Sequence, residues 1–273
     1  TWTCTLQVEK EEELPEEAIM EDEQEPVAVQ VTDSQVSDVT VESGPATYQC
    51  TMTALWSGTA HPVDYPESAH YSPPVFASHD SDITLWAAGA LASPGVQLVA
   101  ETGNPSTLQT ELGDAGDVVS NVAIGVPQWN NDVPGIPEGH IIGLEQTVEG
   151  ITLDGDHTYL STITMLAPSP DWFTGFSGFE PIENGMWLEY FSIDTQPYDA
   201  GTDDGVSFTS ENVESIPKCA IHEFTVDTPP DSSIFENIAG DAVQPVATWT
   251  CTLQVEKEEE LPEEAIMEDE QEP

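Results

Sequence analysis

Arginine is absent from this chain and lysine occurs three times against 52 Asp and Glu, giving a formal charge of −49 at neutral pH. Phosphate backbones are gripped by Lys and Arg, so this balance excludes nucleic acid as a partner. No apolar run approaches the roughly 20 residues of a membrane-spanning helix, and no basic cluster offers a signal or an anionic-lipid anchor. The six His residues include no HxH or HExxH spacing, which argues against zinc. A GxSxG elbow, a Walker loop and GxGxxG are all missing, so a non-enzymatic role is expected. Apolar residues are not scarce: 38% of the chain is hydrophobic and there are seven Trp, enough for one sizeable core.

Self-similarity sets the frame. Residues 1–26, TWTCTLQVEKEEELPEEAIMEDEQEP, recur unchanged as residues 248–273. Solvated positions of one domain's two ends have no physical reason to match, so the chain reads as one period of 247 residues followed by the start of the next. A terminal duplication is the bland alternative. A chain opening on Thr1 rather than Met is expected to be a processed product or a piece of something longer. Head-to-tail contacts that do not close give filaments, so copies of the chain itself are the first expected partner.

Each copy has two halves. Trp2, Cys4, Leu6 and Val8 alternate with polar residues, the period of a half-buried strand. Glu9 to Pro26 carries ten carboxylates and one Lys, favouring an extended linker with a short helix over 15–20 as an option. Residues 27–45 read as a linker or edge strand, 46–227 as the folded body, 228–247 as an exit linker and 248–273 as the second copy. Within the body, strand patterns occupy 47–56, 158–166, 186–193, 205–210 and 220–226. Asp82 to Val99 carries helix formers interrupted by Pro94-Gly95, predicting two short helices. The expected fold class is all-β, an antiparallel sandwich with one or two short helices.

Several stretches then coincide with a known family. LWSGTAHPVDYP, HYSPPVFASHDSDITLWAAGALASPGVQLVAETG, MLAPSPDWFTGF and QPYDAGTDDGVSFTS resemble, in order and spacing, the spondin domain of F-spondin and mindin. The resemblance covers residues 48–225, and PSPDWF at 168–173 and DAGTD at 199–203 are its most specific motifs. It implies a C2-like β-sandwich of about eight strands, secreted, non-enzymatic, calcium-carrying and active in matrix or cell-surface adhesion. Cys50 and Cys219 have no matching pair in the family, and the thrombospondin-type repeats that often follow the domain are missing. No receptor role is carried over.

Carboxylates are the main chemical constellation. Asp171 lies in the Pro-Ser-Pro-Asp-Trp turn, and Asp199, Asp203 and Asp204 lie in YDAGTDDG; hard oxygens from two loops suit Ca²⁺. The resemblance makes Asp171 and Asp199 calcium ligands and adds an acidic ligand on an earlier strand. That position aligns with Thr152, flanked by Glu149 and Asp154, and Asp154 shares its strand parity. The metal set expected is Asp171, Asp199, Asp203 and Asp154, each weighed against a solvated charge or turn cap. Each period holds three Cys, so a bond within the repeat and one sulfur for a neighbour are expected in an oxidising exterior. The expected pairing is Cys50 with Cys219, with Cys4 and Cys251 bonding neighbouring repeats or chains; buried free thiols are the alternative.

ATYQCTMTAL at 46–55 and ATWTCTLQV at 247–255 share Ala-Thr-aromatic-x-Cys-Thr. The repeated strand is therefore expected to add to a sheet of an adjacent domain, and its deletion to stop assembly without unfolding the body. The excess of charge is spread along the whole chain and requires screening, which predicts marine or high-salt surroundings. The expected function is a structural subunit of a secreted filament, sheath or adhesive fibre. The runner-up is a stalked cell-surface adhesin that binds a carbohydrate or protein ligand through the sandwich loops, with extracellular matrix or surface glycans as further expected partners, and third is a mineral-associated acidic protein.

Overall fold

The computed structural model describes residues 29–127, 144–226, 232–237 and 239–254. The N-terminal copy of the repeat, Cys4 within it, the acidic linkers and the option of a helix over 15–20 lie outside these residues.

Ala46–Ala54 alternates without a break between buried and half-buried positions, pointing Tyr48, Cys50 and Met52 inward. Ala247–Leu253 also alternates, with Trp249, Cys251 and Leu253 pointing inward and Thr252 exposed between the last two. Two such strands satisfy the strand period, and in the structure they pair with each other, antiparallel, from Ala247 opposite Ala54 to Leu253 opposite Tyr48. In chain order the strands are β1 Val31–Thr40, β2 Ala46–Ala54, β3 His70–Tyr71, β4 Val75–His79, β5 Val119–Ile124, β6 Glu145–Leu153 and β7 Tyr159–Ala167. They continue with β8 Trp172–Phe179, β9 Ile182–Glu183, β10 Met186–Thr195, β11 Pro197–Asp199, β12 His222–Glu223 and β13 Ala247–Leu253. One sheet has the order β1-β10-β13-β2-β6 with β9 beside β10; the other has β12-β11-β8-β7-β4-β5 with β3 beside β7. Every named pair is antiparallel, as the all-β sandwich requires.

The main core lies between the sheets and is built on Tyr48, Trp56, Phe76, Trp172, Phe191 and Trp249. A second core covers the outer face of the β7–β4 sheet, where α1 Pro94–Thr102 and α2 Ser106–Asp114 bring Val96, Val99, Leu108 and Leu112 onto Val75, Ala77, Ile163 and Phe173. β4 is consequently buried at every position, so its sequence shows no alternation. Pro94 does not interrupt a helix but opens one. Ser93 caps α1 by accepting from the Val96 N–H, and Pro94 occupies the first turn, where a missing N–H costs nothing. Asp82–Ala92 is irregular.

The packed unit is wider than residues 46–227. β1 adds to β10 as an edge strand. Phe235, in the segment read as an exit linker, is fully buried against Trp56, Trp172 and Phe224. The repeated strand, in its C-terminal copy, is the sandwich's own β13, seated between β10 and β2. The expected Cys50–Cys219 bond is replaced by Cys50–Cys251, because register places these two residues directly opposite each other. Cys219 is disulfide-bonded as well. Residues 205–210 form a loop rather than a strand, and of 220–226 only β12 is extended into the sheet.

Candidate metal centre

At one end of the sandwich the β7–β8 turn meets the loop that leaves β11. Asp171 sits at the tip of that turn, fully buried. Its Oδ2 accepts three hydrogen bonds, from the Thr202 N–H at 2.7 Å, the Thr202 hydroxyl at 3.1 Å and the Asp203 N–H at 3.1 Å. Its Oδ1 is buried with no hydrogen-bond partner. Asp199 is held nearby because β11 pairs with β8, Asp199 opposite Trp172, while the Ala200 N–H donates to the Asp171 carbonyl. Asp199 Oδ1 accepts from the Gly201 N–H at 2.7 Å, and His222 Nδ1 stands 4.0 Å away.

The loop can fold this tightly because residue 201 is glycine. Its φ is +71°, and a Cβ there would lie 2.3 Å from the Cys219 carbonyl oxygen. Burial, and behind it the negative charge of Asp199, pushes the Asp171 carboxyl well above the ordinary carboxylate range, against the pull of the Thr202 and Asp203 donors. Burial lowers the neighbouring His222, opposed by the Ala220 carbonyl and by Asp171. A desolvated carboxyl with a bare oxygen beside a second carboxylate is chemistry that a hard divalent cation satisfies. Among the described residues the one lysine, Lys218, donates to Gln97 on α1.

Of the four residues expected to hold metal, the fold brings Asp171 and Asp199 together. Asp203 lies alongside but spends both oxygens on its own loop, accepting from Gly205 N–H and Val213 N–H. Asp204 is similarly occupied by the Ser215 hydroxyl. Asp154 is at the opposite end of β7 from Asp171, on the order of 30 Å along a nine-residue strand. There its Oδ1 accepts from the His157 ring at 2.8 Å and its Oδ2 from Ser120 at 3.2 Å. Burial alone would raise its carboxyl; the His157 ring and the Asp156 and His157 N–H groups outweigh this and lower it. Among the described residues no group of three or more His, Cys, Asp and Glu is gathered for a metal, so Asp171 and Asp199 would be joined by carbonyl or water oxygens. Sequence reading gave no role to Thr202, although it lies inside DAGTD, or to His222, which lies in no motif; only strand pairing and the loop's return bring them to Asp171.

A profile of the Spondin_N family matches residues 46–245, which include both loops of this site. The chain belongs to the Spondin_N family. Spondin-1 of Rattus norvegicus is 32% identical over 225 residues, covering 81% of this chain and 27% of that protein. Spondin-2 of Homo sapiens is 33% identical over 187 residues, covering 67% of this chain and 54% of that protein. The chain thus spans between about a quarter and a half of the relatives it matches. The Spondin_N match ends at residue 245, just before β13 begins at Ala247.

Proposed function

We propose that this chain is a structural subunit of a secreted extracellular filament, sheath or adhesive fibre, built from spondin sandwiches that follow one another head to tail and are braced by calcium. The observation that carries the reading is the exact recurrence of residues 1–26 as 248–273, in which one copy supplies a central strand of a sandwich and the other stands 247 residues away. Membership in the Spondin_N family supports an extracellular, non-enzymatic role. The buried Cys50–Cys251 bond fits an oxidising exterior. The bare Asp171 oxygen supports the calcium part of the reading. Among the described residues no helix is long and apolar enough to cross a membrane. Negative-stain electron microscopy in millimolar calcium and again after chelation tests it. Filaments that fray on chelation are expected; dispersed beads on a string in both conditions would sink it.

A cavity favours a second reading as an adhesin. About 580 Å³ lies between the loop after β4 and the end of β10, lined by Trp86, Tyr198 and Phe176 with Asp194, Gln196 and Glu223. Aromatic faces combined with carboxylate and amide acceptors are the chemistry that grips a glycan. Glycan-array binding that Trp86→Ala abolishes would favour this reading over the filament.

A further inference from the structure

The cavity between the loop after β4 and the end of β10 is one-sided in its hydrogen bonding. Donors fixed in its wall are already committed. The Trp86 Nε1–H donates to the Thr162 carbonyl, the Tyr198 hydroxyl to Glu223 Oε2, the Thr32 hydroxyl to the Ser192 carbonyl and the Thr195 hydroxyl to the Ala247 carbonyl. His79 Nδ1 lies 2.7 Å from the Asp80 carbonyl oxygen, which only accepts, so Nδ1 carries the proton and Nε2 accepts from the Ser161 hydroxyl at 2.8 Å. Ser161 thus spends its hydrogen on His79, and Ser177, 3.3 Å away, donates to Ser161 and keeps only lone pairs for the cavity.

Acceptors are in excess. Asp80, Asp194 and Glu223 bring three carboxylates to the lining, and Gln196 Oε1 is buried with no hydrogen-bond partner. The one lysine among the described residues is spent elsewhere, on Gln97. We propose that this cavity binds a ligand carrying an ammonium group, held by the Asp194, Glu223 and Gln196 acceptors with its carbon skeleton against the Trp86, Tyr198 and Phe176 rings. The proposal rests on the cavity being a ligand site, as in the adhesin reading, and names the chemistry of the ligand. On a glycan that group is the free amine of a deacetylated amino sugar. An ammonium supplies three donors and no acceptor, the complement of this wall, and an aromatic face attracts its charge. A cleft lined by one sign of charge also focuses its field on the opposite one. N-acetylation removes the charge and leaves one N–H beside a carbonyl, an acceptor set among acceptors.

The test is isothermal titration calorimetry on the full chain, in physiological salt and millimolar calcium, with three probes: the glucosamine tetramer, its fully N-acetylated form and spermidine. Glu223→Gln and Asp194→Asn remove charge while keeping an acceptor for Tyr198 and Thr248, and unchanged melting temperatures show that both fold. Asp114→Asn with Glu189→Gln removes two exposed carboxylates away from the cavity and controls for the acidic surface. The glucosamine tetramer is expected to bind about tenfold more tightly than the acetylated one, and each cavity variant to weaken it about tenfold while the surface pair does not, as loss of a charge-assisted hydrogen bond requires. Equal binding of the acetylated tetramer, lost in the same variants, overturns the ammonium and leaves the adhesin reading standing. Spermidine held through the same residues while neither sugar binds supports the ammonium and sinks the glycan. Binding that the surface pair weakens as much as the cavity variants do, or no binding of any probe, overturns the proposal.

Discussion

At the residue scale, Asp171 has one oxygen saturated by three donors and the other bare, so its substitution separates charge from shape. Asp171→Asn is expected to leave the fold intact in chelator and to remove the calcium response. For wild type, calcium at 100 times its dissociation constant adds about 2.7 kcal/mol, a rise in melting temperature of roughly 5–10 °C for a domain of this size. Differential scanning calorimetry with and without calcium reads both; an Asn variant that still gains as much would remove Asp171 from the site. Gly201→Ala, strained at positive φ and clashing with the Cys219 carbonyl, is expected to cost more than about 2 kcal/mol in urea unfolding. His61 supplies one part of the pH dependence. It is fully buried, 3.1 Å from the Gln244 carbonyl oxygen, and burial lowers its pKa despite its backbone hydrogen bonds to Gln244 and Ser57. A depressed folded pKa means that its contribution is whole above the ordinary imidazole value of about 6.5 and is lost as pH falls. Melting temperature between pH 7 and 5 is therefore expected to fall more steeply for wild type than for His61→Gln.

At the element scale, β13 decides the most. It brings residues 247–253 against residues 48–54, closing a central gap between β10 and β2 and carrying Trp249, Cys251 and Leu253 into the core. Deleting it removes part of the fold itself, so the expectation that residues 248–255 can go without unfolding the body does not fit this position. Trp249→Ala is expected to cost about 3–5 kcal/mol, as large aromatic truncations in cores do. Cys50→Ser together with Cys251→Ser opens a loop of 201 residues in the denatured chain, for which loop-closure entropy gives a cost of about 5 kcal/mol as an upper figure. Denaturant titration of each variant checks the order. β1, by contrast, is an edge strand exposed along most of its length, and Val31→Ala is expected to change stability by less than about 0.5 kcal/mol.

At the scale of the whole molecule, 49 uncompensated negative charges oppose compaction. Raising salt from 0.01 M to 0.15 M shortens the Debye length from about 30 Å to about 8 Å, and the melting temperature is expected to rise with it in chelator. A flat response would mean that the charges are too far apart to repel. Composition alone determined the acidity and a core rich in Trp, because these depend on counts and not on arrangement. Alternation legibly marked β2, β7 and β10, where one face is buried and the other is not or where the run is long and apolar. It missed β4, which helices cover on its outer face, and β8, whose residues through Phe176 are buried on both sides. Asp171 and Asp199 were legible through their motifs; Asp154 was not separable from them by parity, which fixes the face of a strand but not its end. The Cys50–Cys251 pairing and the membership of β13 in its own sandwich were decided by tertiary structure alone. Register between strands 201 residues apart is set by how Trp249, Phe76 and Tyr48 fill one core, and no local pattern in the sequence records that packing.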